Sequence, residues 1–193
     1  MSTLLHVPSL LIAAAVAGAC VSTSHLLTWR GVRNEISVPL WGAAYGLYTL
    51  AMMMAGLRGV IPGFLSIVVS NALLLVAGGL VWFGYRRFIG KIGRYDRFLA
   101  LLGGLVWLAF ACHHKLFADI NLRTHAVSVV QSAYLLAIAY ELVEHRRKEP
   151  LPSLSLTVAA IAVQLALLIA RTIHLLIYPL DTSTDTLPSG TPL

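Results

Sequence analysis

The stretch IPGFLSIVVSNALLLVAGGLVWFGYRRFIGK, Ile61–Lys91, decides the fold class. No charged side chain occurs between Ile61 and Phe83, and Arg86, Arg87 and Lys91 follow directly. An α-helix rises 1.5 Å per residue, so about 20 apolar residues cross a hydrocarbon core about 30 Å thick. Apolar and polar residues do not alternate here, which argues against a barrel strand. A backbone surrounded by lipid must satisfy its own hydrogen bonds, which leaves the helix.

Five further runs of this kind flank the first: Leu4–Leu27, Val38–Leu57, Phe98–Leu116, Ala126–Leu142 and Leu154–Ile177. The expectation is therefore an all-α, polytopic membrane helix bundle with six transmembrane helices over residues 1–178. A polar tail, PLDTSTDTLPSGTPL, occupies 179–193. Composition agrees. Of 193 residues, 58% are apolar and 11% charged, against about 45–50% (with Gly) and about 25% in soluble domains. Mean hydropathy is +0.81. These values exclude a soluble globular domain, a disordered chain and a fibrous repeat.

The net charge of +6 does not indicate a nucleic-acid partner. The basic residues fall between apolar runs, where they orient a membrane protein, and no aromatic-basic groove pattern accompanies them. Counted by connection, ten Lys or Arg lie on one side: Arg30, Arg33, Arg86, Arg87, Lys91, Arg94, Arg97, Arg146, Arg147 and Lys148. Three lie on the other: Arg58, Lys115 and Arg123. Positive charge collects in the cytoplasm, so both termini are expected outside it. Cys20 and Cys112 sit in apolar runs without a CxxC, so no disulfide framework is expected. No Lys or Arg precedes Arg30, so the start lacks the basic region of a signal peptide.

Pro39, Pro62 and Pro152 stand at span starts, where a missing N–H costs little. Trp29, Trp41, Trp82 and Tyr178 fall at span ends, as interfacial aromatics do. Gly42 and Gly46 form a GxxxG pair, suited to close packing within the bundle and, as a weaker alternative, to a homodimer. The segment Gly84–Arg97 is basic and aromatic and is expected against anionic headgroups, at about 1 kcal/mol per basic residue.

In arrangement, the middle of the chain resembles the N-terminal membrane region of bacterial diguanylate cyclases, the GGDEF-domain proteins. The resemblance rests on a span opened by Pro62, Asn71 near its middle, and the elbow Gly84, Tyr85, Arg86, Arg87, Phe88 and Gly90. ARTIHLLIYP, with Arg171 and Pro179, is similar to the Arg-bearing span that precedes an outer loop in that family. The resemblance covers roughly 38–180. It implies a sensory or anchoring module of the bacterial inner membrane, cut from or diverged from such a protein. No GGDEF signature occurs, so the chain is expected to make no cyclic di-GMP itself.

Polar residues inside a membrane are costly and therefore informative. His113 and His114 end the fourth run, His125 begins the fifth, and His174 ends the sixth. His6, Asp119, Asp181 and Asp185 are assigned to the same outer side. Three readings apply: a hydrated interfacial network, a transition-metal site of imidazoles and a carboxylate, or a haem between two histidines. No HExxH or CxxCH spacing favours the last two. The residues assigned to a small ligand are Arg171, His174, Asn71 and Asp119. Those assigned to a metal or haem are His113, His114, His125 and His174. No hydrolase or transferase motif is present. A small transporter is the rival class, but no inverted repeat in hydropathy supports it.

Overall fold

The computed structural model describes residues 7–32, 35–113, 118–148 and 152–179. His6, His114, Lys115, Asp181 and Asp185 lie outside these residues, as does most of the polar tail. The architecture is all-α, with helices α1 (Val7–Gly31), α2 (Ser37–Gly56), α3 (Ser70–Phe88), α4 (Asp96–Ala111), α5 (Ile120–Lys148) and α6 (Pro152–Ile177). A π-helical segment, Phe64–Val69, leads directly into α3. Five of these helices are long and apolar enough to cross a membrane, with the π segment and α3 forming one span, Phe64–Phe88. The chain is a multi-pass membrane protein.

The helix exteriors carry the same message as the hydropathy. Along α1, Leu10, Ile12, Val16 and Leu27 are exposed, while Ala15 is buried; on α2, Ala44 and Ala51 are buried. Small residues inside and large apolar residues outside suit a lipid solvent, where helices associate by close packing rather than by hiding apolar surface.

The chain divides into two compact units, Met1–Trp107 and Leu108–Leu193. In the first, α1 packs on α2 and α2 on α3. The GxxxG pair is used here. A Cβ at Gly42 would press on Leu26, and one at Gly46 would touch Ser22 Oγ, both on α1. The Ser22 hydroxyl donates to the Gly42 carbonyl at 2.7 Å. Helix α4 meets α3 at Asp96, Ala100 and Gly104 and the π segment at Trp107, all on its buried side, with Gly103 buried among them. In the second unit, α5 pairs with α6. Leu154, Ile161, Leu168 and Leu175, spaced seven apart, are buried along one stripe of α6, the repeat of a left-handed helix pair.

Several helix boundaries differ from the sequence reading, α1 among them, which runs on to Gly31 past Leu27. The fourth helix stops at Ala111 rather than Leu116 and has 16 residues, about 24 Å of rise. Its last turn tightens, with the His113 N–H reaching Phe110 O at 3.0 Å, three residues back. The fifth helix runs from Ile120 to Lys148, beyond Ala126–Leu142 at both ends. Its polar ends propagate the backbone ladder without needing lipid. The third runs on to Phe88, past Phe83.

Candidate functional site

Two arrangements in the first unit concentrate polar chemistry. One is the π segment. Its Ser70 cap N–H reaches Leu65 O, five residues back, the spacing that defines a π-turn. An added residue in a helical turn displaces carbonyls from their usual donors. Here three successive carbonyls receive side-chain donors. The Ser70 hydroxyl donates to Ser66 O at 2.6 Å. The Asn71 amide donates to Ile67 O at 2.8 Å. The Trp107 indole, from α4, donates to Val68 O at 2.9 Å. Ser66, Val68, Ser70 and Trp107 are all buried. In a dry interior each of these bonds spares a polar group a desolvation penalty of about 1–3 kcal/mol.

The other arrangement is the α3–α4 elbow. Gly90 adopts a positive φ of 72°, which a residue without Cβ takes at no steric cost. The Lys91 N–H reaches Arg86 O at 2.9 Å and the Gly90 N–H reaches Arg87 O at 3.1 Å. This pair of bonds is a Schellman cap, with Gly90 at C′. The turn carries Asp96, 3% exposed, back under α3. Its Oδ2 accepts the Gly93 N–H at 2.7 Å and the Arg86 Nε–H at 3.0 Å. Arg86 also lies 5.3 Å from the Trp82 ring centre. Trp82, read from the sequence as an interfacial aromatic, is instead buried beneath this ion pair.

Beside the elbow, three helices contribute to one aromatic cluster. Trp41 of α2 stands 5.1 Å from Tyr85 and 5.8 Å from Phe88, both of α3. His25 of α1 stacks on Tyr45 at 5.7 Å and meets the Trp41 edge at 6.0 Å. Its Nδ1 lies 2.8 Å from Val21 O. A carbonyl only accepts, so that nitrogen carries the proton.

The residues singled out from sequence fall in both units of the chain. Asn71 lies in the first turn of α3, and its amide donates to the Ile67 carbonyl of the π segment that precedes it. Asp119 caps α5, its Oδ1 accepting the Asn121 N–H at 2.8 Å and the Leu122 N–H at 3.2 Å. Side-chain acceptors are favoured at a helix start for this reason. His113 is exposed after α4, and His125 is half-buried on α5. Arg171 and His174 are exposed on α6, with the His174 ring 5.2 Å from Tyr178. His114 lies outside the described residues. Among the described residues, no three His, Cys, Asp or Glu side chains group as a metal site requires.

Sequence reasoning missed Trp107, Ser66, Ser70 and the Arg86–Asp96 pair. One signal was present: Asp96 is the sole carboxylate among five cations between Gly84 and Arg97. No protein-family model matches the chain, and neither the curated proteins nor the solved structures compared with it include a match.

Proposed function

We propose that this chain is a membrane-embedded signal-input module, of the type that precedes a diguanylate cyclase domain. In this reading it sits in the bacterial plasma membrane and makes no cyclic di-GMP of its own. All six helices cross the bilayer, both termini lie outside, and the α3–α4 elbow faces the cytoplasm. The basic-residue asymmetry supports that orientation. Helix α4 serves as the sixth crossing despite its 16 residues. Its buried stripe lies on α3, and a short hydrophobic stretch is accommodated by local thinning of the bilayer. A small ligand is received at the end of the second unit that bears Asp119, His125, Arg171 and His174.

The observation that carries the proposal is the π segment held by Ser70, Asn71 and Trp107. A signal needs an element with two discrete states. A π-turn differs from an α-turn by one residue of register. Exchanging the two turns the helix beyond it by about 100° and shifts it by about 1.5 Å. Here the helix beyond it is α3, which ends at the elbow.

The test appends one further span and a GGDEF catalytic domain after Leu193 and reads intracellular cyclic di-GMP. Asn71→Ala is expected to change the level several-fold at equal membrane abundance. Leu101→Ala, at an exposed apolar position, should leave it unchanged. Equal output from both variants and the parent would reject the signalling role. The chain without the added domain, incubated with GTP, should yield no cyclic di-GMP.

A further inference from the structure

We infer that the α3–α4 elbow holds a discrete anionic phospholipid, with Arg87 as the residue that recognises its phosphate. The inference is independent of the signalling role.

Between Gly84 and Arg97 the chain has five cations and one carboxylate. The fold sorts the two adjacent arginines into different roles. Arg86 is matched by the buried Asp96 at 3.0 Å. Arg87 points elsewhere, because successive residues on a helix lie about 100° apart. Its guanidinium carbon lies 5.4 Å from the Phe83 ring centre. Its Nε is the one buried side-chain nitrogen or oxygen without a hydrogen-bond partner among the described residues. Within the first unit, the nearby carboxylate is that of Asp96, already held by Arg86. Glu35 is the only other acidic residue before Trp107, and it is exposed in the α1–α2 turn.

The surroundings choose the anion. Phe88, Ile92, Tyr95 and Phe98 are exposed around the same elbow, at 47%, 63%, 63% and 56%. Arg94 lies over the Tyr95 ring at 5.3 Å. A soluble phosphate or nucleotide would use the cations and leave this apolar surface wet. A glycerophospholipid uses both, its phosphate at the guanidinium and its acyl chains on the aromatic and aliphatic side chains. Planar guanidinium groups bind phosphate oxygens in pairs, which suits Arg87 better than a lysine at that place. The Schellman bonds contribute by occupying the Arg86 and Arg87 carbonyls, so these do not face the headgroup as bare acceptors.

The experiment uses the full chain, purified in detergent and mixed with equal amounts of phosphatidylglycerol and phosphatidylcholine. Retained lipid is counted by native mass spectrometry. The parent should carry one phosphatidylglycerol in several-fold preference to phosphatidylcholine, with the preference falling as salt rises. R87Q should reduce phosphatidylglycerol retention at least five-fold. R58Q, which removes an exposed cation in the turn after α2, should retain it as the parent does. Should R87Q not fold, the preference of the parent between the two lipids still decides. Equal retention of both lipids by the parent, undiminished phosphatidylglycerol on a folded R87Q, or its full displacement by millimolar inorganic phosphate would each overturn the assignment.

Discussion

The indole N–H of Trp107 donates to the carbonyl oxygen of Val68 across 2.9 Å, joining α4 to the π segment that precedes α3. Trp107 is 2% exposed and Val68 8%, so no water competes for either group. A hydrogen bond between membrane helices is worth about 0.6–2 kcal/mol. Trp107→Phe keeps most of the ring and removes the donor. It should lower stability by about 1–2 kcal/mol in reversible unfolding in mixed micelles. Trp107→Ala adds a cavity and should cost about 3–5 kcal/mol. A Trp107→Phe variant as stable as the parent would show that Val68 finds another donor.

The Arg86–Asp96 pair invites a double-mutant cycle. Asp96→Asn retains an oxygen for the Gly93 N–H but leaves Arg86 without its counter-charge. Arg86→Gln leaves a carboxylate that is 5% exposed without its cation. Removing one partner of a buried pair is more damaging than removing both. Each single change should therefore destabilise by about 1–3 kcal/mol, and the double change should cost less than their sum. Strict additivity in the same unfolding measurement would mean that the pair is not coupled.

Two glycines should lose stability on substitution for different reasons. Gly90 has a positive φ and open space around its Cβ direction. Gly90→Asn should be mild, since Asn tolerates that conformation, and Gly90→Val should cost about 1–2 kcal/mol. At Gly79 the backbone is ordinary, but a Cβ there runs into the Ala100 carbonyl oxygen. Gly79→Ala should already cost about 1–3 kcal/mol. Thermal unfolding of the three variants checks the order.

The orientation can be read from the two native cysteines. Both are exposed in the fold, but Cys20 lies in the middle of α1 and Cys112 just past the end of α4. A thiol reacts as thiolate, which requires water. A membrane-impermeant maleimide added to intact cells should label Cys112 and spare Cys20. Labelling of Cys112 only after lysis would reverse the assigned sides.

Much of the fold was legible because lipid imposes a simple rule. Runs such as Val38–Leu57 and Leu154–Ile177 coincide within a few residues with α2 and α6. The sequence was less informative where helices end in polar surroundings. Hydropathy falls at His125 and Leu142, but the α5 backbone continues to both sides, because hydrogen bonding of a helix does not depend on its solvent. The π segment left no trace in periodicity, since FLSIVV is apolar apart from Ser66. Asn71 was visible as a costly mid-span polar group, whereas its bond to the carbonyl four residues back on its own helix leaves no mark in hydropathy. The Asp96 carboxylate and Arg86 are ten residues apart, a spacing that becomes a contact only once Gly90 turns the chain.

The approach of α3 and α4 at Gly79 and Ala100 has a mechanical consequence. Where side chains separate two helices, one can slide or roll on a deformable layer. Here a backbone carbonyl fills the space a methyl group would need, and Trp107 anchors the interface further along. The two helices therefore behave as one stiff lever. In the proposed signalling role, a twist introduced near Val68 would be delivered at the far end of this interface, where Asp96 holds Arg86, rather than lost to slippage along it.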